Sequence, residues 1–181
     1  MKGSSEELIT LLTNQTSDVL KTLHTMEQLP TAQLNKRPKP EAWSALECLE
    51  HLNRYARFYH PEIDKRMKAS TRPFRSTFRS TWLGEYFAQA VAPREKLNKM
   101  NALTNMNPSG SQVDAGVLEE FIRHQETLLT LLETARSKDI QKTKTDISIS
   151  TLIRLRLGDT FRVLINHNVR HMQQAERALT S

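Results

Sequence analysis

Four stretches of this chain carry apolar residues three, four and seven positions apart, the spacing that lines up one face of an α-helix. The first covers 4–28, where Leu8, Ile9, Leu12, Val19, Leu20, Leu23 and Met26 form a single stripe. Ser4 or Ser5 can cap it, and Glu6 and Glu7 fall in the first turn, where acidic side chains suit the helix dipole. The second begins at Ser44, with Glu47 three residues later completing a capping box and Trp43 placed as a hydrophobic staple. Its stripe continues through Cys48, Leu52, Tyr55, Tyr59 and Ile63, and Pro61 inside it predicts a kink or a break. The third covers 114–137 through Leu118, Phe121, Ile122, Leu128, Leu129 and Leu132. The fourth covers 150–179 through Leu157, Phe161, Leu164, Asn168, His171, Ala175 and Leu179.

Helices of about 25 residues each span roughly 37 Å, which predicts an all-α four-helix bundle forming a single domain over 1–181. Between the stripes the chain reads as connection. Pro30, Pro38 and Pro40 exclude a helix interior in the first link, and 101–110 and 138–148 read as loops. The stretch 70–93 reads as a long, semi-ordered crossover between the second and third helices, its aromatic residues covering one side of the bundle. The chain has only 5 Gly and 7 Pro, too few for a sandwich or barrel, which turns every 8–12 residues or so. Neither GxGxxG nor GxxxxGK[ST] occurs, so Gly-rich phosphate cradles are excluded. The single Cys excludes an internal disulfide framework and a cysteine-based zinc cluster.

No apolar run approaches the roughly 18 residues of a membrane span, and the first twelve residues do not read as a signal peptide. With one thiol, a reducing cytoplasm is the expected compartment, and no membrane partner is expected. The formal charge of +6 concentrates in 65–99, where nine basic residues face Glu85 and Glu95. Such a run with Phe74, Phe78 and Trp82 interleaved can bind nucleic acid, yet no DNA-reading motif accompanies it. The run reads as a solvated surface, and no nucleic-acid partner is expected.

His167 and His171 form H-N-V-R-H, four residues apart and therefore stacked on one helix face, within reach of one divalent ion. Asn168 stands where the zincin motif H-E-x-x-H has its Glu, so a protease of that class lacks its general base. His51 sits on the inward margin of the second stripe, and a ligand from one helix facing a pair from another is how bundles build metal sites. Three neutral histidines leave an open position, as catalytic metal sites do. An H-x-x-x-H pair by itself also occurs by chance in helices.

Two blocks carry a resemblance. The stretch 43–52, WSALECLEHL, resembles the W-S-x-x-E-x-x-x-H-L signature of the DinB-like superfamily, and 157–175, LGDTFRVLINHNVRHMQQA, resembles its C-terminal motif. The blocks stand in the family's order and at similar spacing. The resemblance implies a four-helix bundle holding a divalent metal, zinc or nickel, on His51, His167 and His171. It further implies a metal-dependent enzyme, either a thiol-dependent S-transferase using a low-molecular-weight thiol or a hydrolase. The alternative is a non-catalytic metal-binding or stress-response module of the same fold.

Around these positions the readings stay open. Arg170 either binds an anionic small-molecule substrate or forms a salt bridge, and Gln174 with Gln173 either orients a ligand or is an ordinary polar helix residue. Glu47 reads as the capping residue and secondarily as an imidazole partner or a base, and Cys48 as a small hydrophobe and secondarily as a fourth ligand or a nucleophile. His24, His60 and His124 are expected at the surface or in loops. A homodimer is compatible with everything above.

Overall fold

The structure is a computed structural model and describes residues 1–93, 104–109 and 113–180. It is all-α, with two short two-stranded ladders attached. In chain order the elements are β1 (Lys2–Ser4), α1 (Ser5–Met26), α2 (Thr31–Leu34), α3 (Ala45–Ala69), β2 (Thr77–Arg79) and α4 (Trp82–Ala90). A single 3-10 turn (Thr104–Met106), α5 (Gly116–Ala135), β3 (Lys144–Ile147), β4 (Ser150–Arg156) and α6 (Leu157–Leu179) follow.

The helix starts are set locally. The Ser4 hydroxyl accepts the Glu7 N–H at 3.3 Å at the head of α1. At the head of α3 the capping box closes from both sides, with Glu47 N–H to Ser44 Oγ at 3.2 Å and Ser44 N–H to Glu47 Oε2 at 2.9 Å. Helix α3 runs through Pro61 without a break, because burial on both sides outweighs the one lost backbone bond.

Four helices make the bundle. Helix α1 packs on α5 and α6, and α3 packs on the same two, so α1 and α3 stand at opposite corners. Contacts give the directions. Asn53 meets Val117, Arg57 meets Glu120 and His60 meets His124, so the numbers rise together and α3 and α5 run parallel. By contrast His51 meets His171 and Tyr55 meets His167, so the numbers run opposite and α3 is antiparallel to α6. Glu6 at the head of α1 meets Arg136 at the tail of α5, which makes that pair antiparallel too.

Parallel neighbours need a connection that returns along their length. In 70–93, β2 pairs antiparallel with β1, and α4 then lies along the first half of α6. The fully buried Asp159 carboxylate accepts from Ser80, from Thr81 N–H at 3.2 Å and from Thr81 Oγ1 at 3.3 Å. One turn further on, Arg162 holds Glu85 at 2.9 Å. The 104–109 piece lies at the other end, against α3.

Two apolar clusters fill the interior. One gathers Leu8, Ile63, Phe78, Leu132 and Phe161. The other gathers Leu23, Leu46, Leu49, Phe121 and Met172. Val169 packs against both. Among the described residues no helix is long and apolar enough to cross a membrane.

Several expectations change. The last helix starts at Leu157, not at residue 150, because 150–156 forms β4 against β3 in a hairpin. The expected loop 138–148 thus contains a strand, and the semi-ordered 70–93 contains β2 and α4. Of its aromatics, Phe78 is in the core, whereas Trp82 is 81% exposed and Tyr86 59% exposed. Part of the expected loop 101–110 is the 3-10 turn; residues 101–103 and 110 lie outside the described residues, as do Arg94, Lys96 and Lys99 of the basic run. His60 and His124 are not loop residues. They sit on α3 and α5, and His60 is buried.

Gly158 marks the junction of β4 and α6, where a Cβ would lie 2.5 Å from Cε2 of the buried Phe78 ring. Gly158→Ala is therefore expected to cost about 1–3 kcal/mol through overpacking. Calorimetry checks it: an unchanged melting temperature would show that Phe78 has room to move.

Candidate metal centre

His51 belongs to the second turn of α3, and His167 and His171 are one turn apart on α6. Since α3 and α6 are antiparallel neighbours, the three side chains meet between them. Ring centroids are 5.0 Å apart for His51 and His167, and 4.6 Å apart for both His51–His171 and His167–His171. One ring nitrogen from each lies within 4.8 Å of the others. His51 is buried, and the other two are half-buried.

Two of the rings are fixed by outside partners. His51 Nδ1 donates to the Met106 carbonyl at 2.7 Å, and His171 Nδ1 donates to Gln174 Oε1 at 2.9 Å. Each therefore keeps its lone pair on Nε2. His51 Nε2 lies 3.3 Å from His167 Nε2. Two ligands on a tetrahedral ion with Zn–N of 2.0–2.1 Å stand about 3.3–3.4 Å apart, so this pair has the required spacing.

Burial pushes His51 down to about 4, against the Met106 hydrogen bond, which raises it. Burial also holds His171 down to about 3, with the neighbouring His51 adding to the effect. His167 is held well below the ordinary range by burial, then by His171 and His51. All three are neutral imidazoles at pH 7, the form that ligates metals.

Aromatic rings wall the cluster. Trp43 lies 4.9 Å from His51 and 5.8 Å from His171, and its Nε1–H donates to Ser109 Oγ at 3.0 Å. Tyr55 lies 5.1 Å from His51 and 4.7 Å from His167. Trp43, expected as a staple, is thus also a lid on two of the histidines. Tyr55, one turn after His51, was visible only as part of a stripe.

The Met106 carbonyl gives no signal in the sequence, because every residue has one. Its position comes from Arg54, whose Nη1 donates to the flanking carbonyls of Asn105 at 3.3 Å and Asn107 at 2.8 Å. Glu50 Oε1 accepts from Arg54 Nε at 2.9 Å and from Arg57 Nη1 at 3.1 Å, and Arg57 reaches Glu120 on α5 at 2.8 Å. A chain of ion pairs thus ties the support of His51 to the neighbouring helix.

The remaining candidates divide. Gln174 touches His171 directly. Arg170 is buried, and its charge lowers both His167 and His171. Glu47 does not reach the cluster as a base, since Arg37 Nε donates to its Oε2 at 2.9 Å and the Ser44 N–H to the same oxygen. Cys48 is fully buried among apolar side chains, and burial pushes its thiol up, away from a reactive form.

Helical bundles build metal sites from side chains on facing helices, and these three histidines converge on one point in that manner. The model of the DinB superfamily matches residues 20–175, and the chain belongs to that superfamily. No curated protein and no solved structure matches it.

The lowered values set a pH dependence. The unfolded chain takes up protons at the ordinary 6.5, before folded His51 at about 4 and folded His171 at about 3. Stability of the metal-free protein therefore falls as pH drops below 6.5, by about 1.4 kcal/mol per pH unit for each such histidine. Urea unfolding of chelator-treated protein between pH 6.5 and about 4.5, where most carboxylates remain ionised, is expected to show this slope. His51→Phe is expected to flatten it; equal slopes would mean that His51 is not held neutral.

Proposed function

We propose that this protein is a metal-dependent enzyme in which His51, His167 and His171 hold a divalent ion, zinc or nickel. The observation that carries the reading is the pair of Nε2 atoms at 3.3 Å with the His51 lone pair fixed by Met106. The donor set fits such an ion, since imidazole suits zinc and nickel and two of the three rings are already held in the ligating tautomer. When bound, the ion supplies a Lewis acid that makes a low-molecular-weight thiol or a water nucleophilic near neutral pH.

The chain's own residues do the rest. Met106 and Gln174 hold two rings in place. Trp43 and Tyr55 exclude water from two sides. Arg170 sets a positive charge beside the pair, which favours an anionic small-molecule substrate. The reaction is S-transfer with a thiol cosubstrate, or hydrolysis, in the cytoplasm, with no nucleic-acid partner.

Elemental analysis of untagged protein tests the site. Wild type is expected to carry a stoichiometric ion and His167→Ala to carry almost none. If both hold the same negligible amount, the reading fails. A screen of thiol cosubstrates against electrophiles then separates S-transfer from hydrolysis.

A second reading, a non-catalytic binding or stress-response module, is favoured by one observation. Among the described residues the converging set contains only histidines, and Glu47 is engaged elsewhere. Chelation separates the two: a catalytic site loses activity while the bundle survives, and a structural one melts.

Arg54→Met removes the clamp on the Met106 loop. It is expected to weaken zinc binding about 10–100-fold, as losses of supporting partners do. Competition against a chromophoric chelator measures it, with circular dichroism verifying the fold.

A further inference from the structure

His60 and His124 take no part in the cluster between α3 and α6. His60 comes nine residues after His51, and at 100° per residue that turns it about 180°, onto the side of α3 that faces α5. There its ring lies 5.1 Å from that of His124. The rings of the three-histidine cluster are 4.6 to 5.0 Å apart, so this second pair is nearly as close.

Three features make the pair more than packing. His60 is 5% exposed, yet neither its Nδ1 nor its Nε2 has a hydrogen-bond partner among the described residues. A neutral imidazole carries one N–H and one lone pair, and leaving both unmet in the interior is costly. A cleft of about 380 Å³ opens beside it, lined by His60, Pro61, Asp64, Thr127, Thr130 and Leu131, so the His60 ring forms part of a cavity wall with its two nitrogens turned inward.

His124 is prepared from behind. Its Nε2 donates to Glu120 Oε1 at 3.3 Å, and Arg57 holds Glu120 at 2.8 Å. That leaves the lone pair on Nδ1. Donation of the other N–H to a carboxylate is the usual support for a histidine that binds a metal. Burial keeps both rings neutral, His60 at about 3.

We propose that His60 and His124 bind a second divalent transition-metal ion in the seam between α3 and α5. Two nitrogen donors favour copper, nickel or zinc over calcium or magnesium, and copper(II) binds most tightly in that series. Water completes the coordination from the side of the cleft, where the Asp64 carboxylate is already held by Lys68 at 2.6 Å. The site uses none of the three clustered histidines, which lie on the other side of α3.

Copper(II) titration followed by electron paramagnetic resonance tests this. Wild type and His171→Ala are each compared with the same protein carrying His124→Phe. In both backgrounds the parent is expected to bind one copper(II) with two nitrogen donors that the His124→Phe partner loses. His60→Phe is expected to lose the same equivalent. Should His60→Phe fail to fold, the half-buried His124 position still decides the matter, with circular dichroism as the control. Equal copper uptake with and without His124→Phe overturns the proposal. So does the absence of any two-nitrogen signal, which would leave His60 to water alone.

Discussion

His51 and His167 face each other at 3.3 Å across the seam between α3 and α6, and that contact needs one proton between the two Nε2 atoms, one ring donating and the other accepting. Protonating either would place a charge where burial strips it of water, and Arg54 and Arg170 add like charge nearby. With His51 fixed as a lone-pair acceptor, His167 Nε2 closes the gap by donating its proton. A cation between the two rings would require that proton on His167 Nδ1 instead, a change of tautomer that releases no proton from a ring already neutral. Everything around the seam serves to hold this geometry: the Met106 and Gln174 hydrogen bonds, the Trp43 and Tyr55 walls, and the two apolar clusters that bring α3 and α6 together.

The parallel run of α3 and α5 has a different effect. It forces a long connection, and that connection is put to use at both ends. At one end α4 clasps α6 through Asp159, with Arg162 and Glu85 forming a second tie. At the other, the Thr104–Met106 turn supplies the carbonyl that orients His51. A strict up-down bundle with short loops would offer neither.

Much of this was legible in the sequence, and the gaps have physical causes. Four apolar stripes gave the four long helices, and the Ser44–Glu47 pair placed the start of α3 at the residue where its capping box forms. The stripe of α6 put His171 inward with Asn168. The β3–β4 hairpin was missed because 138–148 reads as a polar loop and 150–156 as the start of the last helix, although Ile147, Ile149, Ile153 and Leu155 stand two or four apart. Their alternate spacing was the strand signal. His60 was misplaced because one stripe describes one face, and α3 is covered on two sides, by α5 and α6. The Met106 carbonyl and the Arg54 clamp depend on a loop's path, which no side-chain pattern encodes.

The cluster joins residues 116 positions apart, one from the early part of the chain and two from its last helix. During synthesis, α1, α3 and α5 all emerge before the ribosome reaches His167 and His171. A chain stopped short of α6 keeps one of the three imidazoles and cannot assemble this cluster. The assembled cluster is therefore also a mark that α6 has been made and has docked on α3.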